Sequence, residues 1–271
     1  MNITLTGATR LNIIVGDPIA QVKSPGGMTD AFAERGHDAI LVPVQIAPDD
    51  LPALLATCDK MKNLDGIVVT VPHKFACYNH CTSATERAKF LGAVNIMRRA
   101  AGGGWYGEMV DGLGFVGAVR NAGFDPNGKR ALLVGAGGAG SAIALALVEA
   151  GVSELAIHDG MADRRDNLIA RLNGLGRAKV SVGSTDPAGF ELVGNATPAG
   201  MKAGDPYPVD VSKLTPAMFV GCVITVPAVS PLVEAARKLG CKTSTGTDMY
   251  RALQSAMVDF LLFADQKTRV A

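Results

Sequence analysis

The sequence predicts an α/β protein of two domains, an N-terminal, mostly parallel α/β domain followed by a dinucleotide-binding one. Three observations carry this. Short apolar runs with strand character alternate with helix signals along most of the chain, the pattern of parallel strands joined by helical crossovers. The 271 residues exceed an ordinary single domain and suit two. In the second half, Gly135-Ala-Gly-Gly-Ala-Gly140 stands between an apolar strand and an apolar helix, the context a phosphate-binding turn requires.

The first strand is Leu11–Gly16. Ser24-Pro25 then caps and opens a helix to about Gly36, since Pro is tolerated in a first helical turn. Ile40–Val44 is the next strand, and Ala47–Met61 a helix that begins at an acidic Pro-Asp-Asp turn. Gly66–Val71 reads as a buried strand. The three glycines after Ala101 make a hairpin turn between Val94–Arg98 and Trp105–Tyr106, whose aromatic rings are expected to pack locally. A domain change is placed at Asp111. Beyond it, Ala131–Val134, Glu154–His158, Lys179–Gly183, Leu192–Asn195 and Phe219–Thr225 read as strands. The last apolar-periodic stretch, Met249–Phe263, is too long and too well patterned for a tail, so it requires a docking surface. The expected domains are 1–110, completed by a C-terminal helix over 246–271, and 111–245.

Composition narrows the function classes. Apolar residues make up 48%, the net charge is +1, and acids and bases are interspersed. No basic stripe offers a footprint for nucleic acid, and no run is long enough to span a membrane. The N-terminus lacks the cationic start and apolar run of a secretory signal. Five cysteines, an odd number without framework spacing, fit a reducing cytoplasm. The expected partner is a small molecule, and the expected state a monomer or homodimer.

In the glycine turn, Gly135 permits the tight bend and Gly137 lets backbone N–H groups approach a pyrophosphate. The helix that begins near Gly138 and Ala139 adds its dipole, and Gly140 lets helix and strand pack closely; this is the Rossmann fingerprint. Asp159 ends the next strand, 24 residues after Gly135, near the spacing at which a carboxylate accepts from the adenosine ribose hydroxyls. A carboxylate there repels a 2′-phosphate, so NAD is expected in preference to NADP. Arg164 and Arg165 follow closely and are within chain reach of such a phosphate.

Five further segments occur in order: Gly16-Asp-Pro-Ile-Ala-Gln-Val-Lys-Ser-Pro25, Val69-Thr-Val-Pro-His-Lys74, Gly92-Ala-Val-Asn95, Asp111-Gly-Leu-Gly-Phe115 and Asn195-Ala-Thr-Pro-Ala-Gly-Met201. With the glycine turn between the last two, they resemble the shikimate/quinate dehydrogenase family over nearly the whole chain. The resemblance implies a substrate domain, a Rossmann domain, a last helix that returns to the first domain, and no metal. It implies reversible hydride transfer between nicotinamide and a ring hydroxyl or ketone of a cyclic hydroxy acid. Lys74 and Asp111 match the family's catalytic pair; Ser24, Thr70, Asn95 and Gln254 match its substrate contacts. Asn195, Thr197 and Met201 match the loop beside the nicotinamide, with Thr225 and Gly246 also expected at the cofactor. The chemistry needs such a pair: as hydride leaves the carbinol carbon, the hydroxyl proton must pass to a base or the developing alkoxide must be stabilised.

The chain departs from the family where a substrate carboxylate is expected to bind. Val22 stands where the family usually has a first serine, Val68 where it has Asn, Met109-Val110 where it has Asn-Thr, and Thr225 where it has a tyrosine. Each missing hydrogen-bond partner costs about 1–3 kcal/mol, roughly one to two orders of magnitude in affinity. Retained chemistry with altered substrate recognition is therefore expected, and a micromolar Michaelis constant for shikimate would contradict it. The alternative is a non-catalytic dinucleotide-binding sensor whose substrate pocket has drifted; the retained Lys74 and Asp111 speak against it.

His73, Cys77, His80 and Cys81 are zinc-capable and recur at helical spacing. They read instead as a helix with half-buried cysteines and surface histidines. Ser24 has no Gly-x-Ser-x-Gly elbow around it, which leaves hydrolase chemistry unsupported.

Overall fold

A computed structural model describes residues 4–268; the expected domain ends at 1–3 and 269–271 lie outside the described residues. The chain divides into two compact units. One holds the residues up to Val110 and those from Gln254 on; the other is Asp111–Leu253.

The first unit contains β1 (Arg10–Gly16), α1 (Ser24–Glu34), β2 (Ala39–Gln45), α2 (Leu51–Cys58), β3 (Leu64–Val69), α3 (Lys74–His80), β4 (Ser83–Ala84), α4 (Glu86–Leu91), β5 (Ile96–Arg99) and β6 (Trp105–Glu108). Its sheet runs β2-β1-β3-β5-β6-β4. β1 lies parallel to both neighbours, with Val15 opposite Val44 on one side and Val69 on the other. β5 is antiparallel to β3, so the start of β5 lies beside the carboxyl ends of β1 and β3. The near-continuous apolar runs of β1 and β3 follow from burial on both faces. Phe32, Met28, Ile67 and Trp105 are fully buried.

The second unit begins with α5 (Asp111–Asn121), followed by β7 (Arg130–Val134), α6 (Gly138–Glu149), β8 (Glu154–His158), α7 (Ala162–Asn173), β9 (Lys179–Val182), β10 (Leu192–Asn195), β11 (Phe219–Cys222), α8 (Pro231–Lys238), β12 (Lys242–Ser244) and α9 (Gly246–Thr268). All strand pairs of its sheet are parallel, in the order β12-β11-β10-β7-β8-β9. Counted from β7, that is the doubly wound order 3-2-1-4-5-6 read backwards, and the switch between β7 and β10 opens a crevice at the strands' carboxyl ends.

Several boundaries differ from the sequence reading. Ser24 does not cap α1; Lys23 occupies the cap position without a side-chain bond, and Ser24 is the first helical residue. The acidic Pro48-Asp49-Asp50 stretch is a turn before a shorter α2. β3 stops at Val69, because Thr70 begins a turn whose carbonyl accepts the N–H of His73 at 3.0 Å. β11 stops at Cys222, leaving Thr225 in the following loop. Tyr106 is not a local packing residue. Its ring stacks on Phe260 of α9 with centroids 5.9 Å apart, and the Arg98 guanidinium lies 5.1 Å and 5.0 Å from the two rings.

The expected domain boundary at 245/246 moves to 253/254, inside a continuous helix. The first residue of α9, Gly246, donates its N–H to the Ile224 carbonyl at 3.2 Å. From Gln254 on, the helix bonds to the first unit: Gln254 Nε2 donates to the Gly27 carbonyl at 2.6 Å, and Arg35 reaches Ser255 and Asp259 at 2.9 and 2.6 Å. A periodic pattern sees one helix and cannot register that its partners change.

Candidate active site

In the first unit the site residues gather at the carboxyl edge of β1 and β3. Thr70 follows β3, and its N–H donates to the Val15 carbonyl of β1 at 2.9 Å. A tight turn through Val71 and Pro72 leads into α3, whose first residue is Lys74. Lys74 is 7% exposed, a burial that lysine rarely adopts without a partner or a task. His73 fixes the turn from behind. It is buried, and its Nε2 lies 2.9 Å from the Ile46 carbonyl in the loop after β2. This corrects the expectation of a surface histidine. Val71 and Phe75, on either side of His73-Lys74, are 58% and 47% exposed.

Asn95 immediately precedes β5. Its carbonyl accepts the Val69 N–H at 2.8 Å, which places it level with the end of β3. Its Oδ1 accepts the Val110 N–H at 2.9 Å, so Asn95 fixes the backbone of the residue that precedes Asp111 in the chain. Ser24 is buried in the first turn of α1, and Gln254 bonds to Gly27 of that helix. Ser24, Thr70, Lys74, Asn95 and Gln254 thus belong to one edge of one unit. Asp111 opens α5 in the other unit and is also 7% exposed.

In the second unit the glycine turn has the geometry its sequence implied. Gly135 has φ +104°, a conformation that only glycine adopts without strain. A Cβ built on Gly140 would fall onto the Gly135 carbonyl oxygen, so the third glycine sets the separation of α6 from its strand. Gly137, by contrast, faces open space; a Cβ there meets only the Arg164 guanidinium, at 4.0 Å. Gly137 caps α6 and offers no side chain of its own, which leaves the N–H groups near Gly138 and Ala139 to take a pyrophosphate.

Asp159 is buried at the end of β8. It accepts the N–H of Ala136 at 2.6 Å and of Met161 at 2.8 Å, and both its oxygens lie 2.7 Å from Arg164 Nη2. Burial pushes the carboxyl upward. The two backbone donors and the guanidinium outweigh that, and hold it below the usual carboxylate value. The fixed ion pair with Arg164 was not foreseen, although the chain distance of five residues made it reachable.

Asn195 and Thr197 are also cofactor-loop residues by sequence. Asn195 is fully buried, and its Oδ1 accepts from the N–H and hydroxyl of Thr197 at 3.0 and 2.7 Å. Both side chains therefore shape the loop that carries Met201, which is 40% exposed. Asp205, which no sequence signal marked, anchors the same loop by accepting the N–H groups of Gly200 and Lys202 at 2.9 and 3.0 Å. Thr225 is half-buried in the loop after β11, and Gly246 is tied to the same loop through Ile224.

The four zinc-capable side chains have separate commitments. His80 lies 3.0 Å from Asp59, Cys81 Sγ donates to the Cys77 carbonyl at 3.3 Å, and Cys77 is fully buried. Among the described residues no group of three His, Cys, Asp or Glu side chains is arranged to hold a metal ion, and no helix is long and apolar enough to cross a membrane.

Comparison with known proteins aligns with this geometry. Residues 14–97 match the family model of the shikimate dehydrogenase substrate binding domain. A shikimate dehydrogenase (NADP(+)) of Rubrobacter xylanophilus is 36% identical over 248 residues, covering 89% of this chain and 87% of the relative. Among solved structures, a ligand-free 5-ketofructose reductase of a Gluconobacter strain superimposes with a TM-score of 0.82 at 27% identity, over 94% of this chain and 93% of that one. A quinate dehydrogenase of Corynebacterium glutamicum bound to NAD gives 0.82 at 28% identity, over 93% of each chain.

Proposed function

The chain belongs to the shikimate dehydrogenase family, and from that premise we propose that it catalyses reversible hydride transfer between a nicotinamide dinucleotide and a hydroxyl or ketone of a shikimate- or quinate-like polyhydroxylated molecule, in the cytoplasm. The observation that carries the reading is the burial of two opposite charges, Lys74 and Asp111, at segment positions that the family uses for chemistry. Charged side chains this buried are costly unless paired and used. A protein that only sensed a dinucleotide would have no need of them.

The second unit fits a dinucleotide. Gly137 leaves room for a pyrophosphate, the N-terminus of α6 faces that room, and Asp159 stands at the end of β8. When bound, the cofactor supplies the hydride acceptor or donor. Lys74 holds the substrate hydroxyl and receives or returns its proton, and Asp111 is assigned the second position of the family's catalytic pair. Ser24, Thr70, Asn95 and Gln254 position the polyol, and Asn95 also steadies Val110 ahead of Asp111. The Asn195–Met201 loop, with Thr225 and Gly246, lines the nicotinamide end.

NAD in preference to NADP is supported by the ionised Asp159 carboxylate, which attracts ribose hydroxyls and repels a 2′-phosphate. Arg164 is the group through which NADP would be accommodated, and the relative in Rubrobacter is named for NADP(+). The neighbour named 5-ketofructose reductase supports extending the substrate class beyond acids.

The test is absorbance of the reduced nicotinamide with NAD or NADP and a panel of shikimate, quinate and related polyols. Lys74→Ala is expected to lower kcat by about 10²–10⁴-fold while the dissociation constant for NADH stays unchanged. Unaltered turnover in that variant would remove Lys74 from the chemistry. NADH binding without turnover of any panel member would favour the sensor.

A further inference from the structure

The short turn that carries Lys74 is held from three sides. At its start the Thr70 N–H donates to the Val15 carbonyl at 2.9 Å, and the Val71 carbonyl accepts the Asp17 N–H at 2.9 Å. The end of β1 thus fixes one flank. On another, the Lys74 carbonyl accepts the Val94 N–H at 3.0 Å. These are main-chain bonds, and a change of side chain leaves them in place. The third tether runs through a side chain. His73 Nε2 lies 2.9 Å from the Ile46 carbonyl in the loop after β2. A carbonyl only accepts, so Nε2 carries the proton and donates.

His73 is 1% exposed, whereas Val71, Pro72 and Phe75 are exposed; the imidazole turns inward from a loop whose other side chains meet solvent. α3 begins at Lys74, with His73 in the cap position and no side-chain bond capping the helix. The direction in which the Lys74 side chain leaves the backbone is therefore set where His73 is anchored. Lysine has a flexible four-carbon stem, so a small tilt at its Cα is magnified at the ammonium. Displacement of a reacting group by about 1 Å can cost about 10²-fold in rate.

We propose that His73 is a positioning residue for proton transfer: its bond to Ile46 fixes the start of α3 and thereby the place of the Lys74 ammonium. The imidazole itself touches no substrate. The inference rests on the oxidoreductase reading and adds a residue that lies outside the matched catalytic pair and outside the matched substrate contacts.

The experiment is steady-state kinetics of the full chain with whichever panel member, among shikimate, quinate and the related polyols, the parent turns over fastest. The variants are His73→Gln, His73→Asn and His73→Leu. Glutamine brings an amide N–H to nearly the reach of imidazole Nε2. Asparagine is one methylene shorter, and leucine fills the buried space without a donor; both leave the Ile46 carbonyl unbonded. The asparagine and leucine variants should lose about 10²-fold in kcat. Their KM should stay near that of the parent, because Thr70 remains on Val15, and NADH binding should be unchanged. Hydrogen exchange of a peptide holding residues 70–77 should quicken in both. Glutamine should recover most of the lost kcat; since its amide does not titrate, that recovery separates an anchoring role from an acid–base one. If the bond served stability alone, the asparagine and leucine variants would melt at a lower temperature yet keep the parent's kcat, and the inference would fall. Equal loss of kcat in all three variants would overturn it as well. Bound NADH with no turnover of any panel member by the parent would remove the dehydrogenase reading, and this inference with it.

Discussion

At Asp159 two demands compete, since a buried carboxylate resists ionisation yet four polar contacts reward it. The contacts win, and the carboxyl titrates below its usual value. The sign of the pH dependence follows. Asp159 contributes stability at pH values above the ordinary carboxylate range, and that contribution is lost as pH falls through the lowered folded value. Comparing Asp159→Asn with the parent by denaturant unfolding should therefore show a gap at pH 7 that closes in strong acid; a gap of constant size would mean that the charge is not responsible. Asp159→Ala should also weaken NAD binding and relax discrimination against NADP, measured as the ratio of kcat/KM for the two cofactors. A parent protein that already prefers NADP would contradict the assignment. The acidic strand end was legible because chain spacing alone puts it opposite the glycine turn. Its pairing with Arg164 was not, because a side chain's partner depends on how α7 leaves the strand.

The glycine turn separates two effects that sequence inspection joins. Gly140 is constrained by the backbone of its own turn, and Gly137 only by what it must admit. Gly140→Ala drives a methyl group into the Gly135 carbonyl, and overpacking of this kind costs about 1–3 kcal/mol. Loss of both thermal stability and NADH binding is expected. Gly137→Ala should unfold at nearly the parent temperature but bind NADH more weakly, as read by nucleotide fluorescence; equal behaviour of the two variants would undo the distinction. α3 offers a second case at this scale. Burial pushes the Cys77 and Cys81 thiols up to about 12, which at pH 8 lowers the reactive thiolate fraction by about three orders of magnitude relative to a free cysteine. Iodoacetamide should label them only on unfolding, as mass spectrometry of peptides would show, and rapid labelling of the native protein would argue against that burial. The helix was visible only as zinc-capable residues at a suggestive spacing. The commitments of His73 to Ile46 and of His80 to Asp59 are tertiary facts.

At the scale of the molecule, the proposed function gives each of the two sheets its own task. Ligand that binds only the folded state stabilises it by about 2.7 kcal/mol at a hundred times its dissociation constant. NADH at that concentration should raise the melting temperature of the parent, and should leave that of a correctly folded Gly137→Ala nearly unmoved; an equal shift in both would place the dinucleotide elsewhere. The sequence by itself determined the alternation of strands and helices, the glycine turn between strand and helix in the second domain, and the ordered segments that hold Lys74, Asn95 and Asp111. These are local properties: periodicity, glycine at fixed spacing, and residues a few positions apart. Only the tertiary structure decided that Gln254 turns an amide N–H onto Gly27, that Tyr106 meets Phe260, that His73 is buried against the Ile46 carbonyl, and that Asp159 is held by Arg164. Each of these depends on which surfaces meet when distant segments pack, and such contacts leave no period or spacing in the chain.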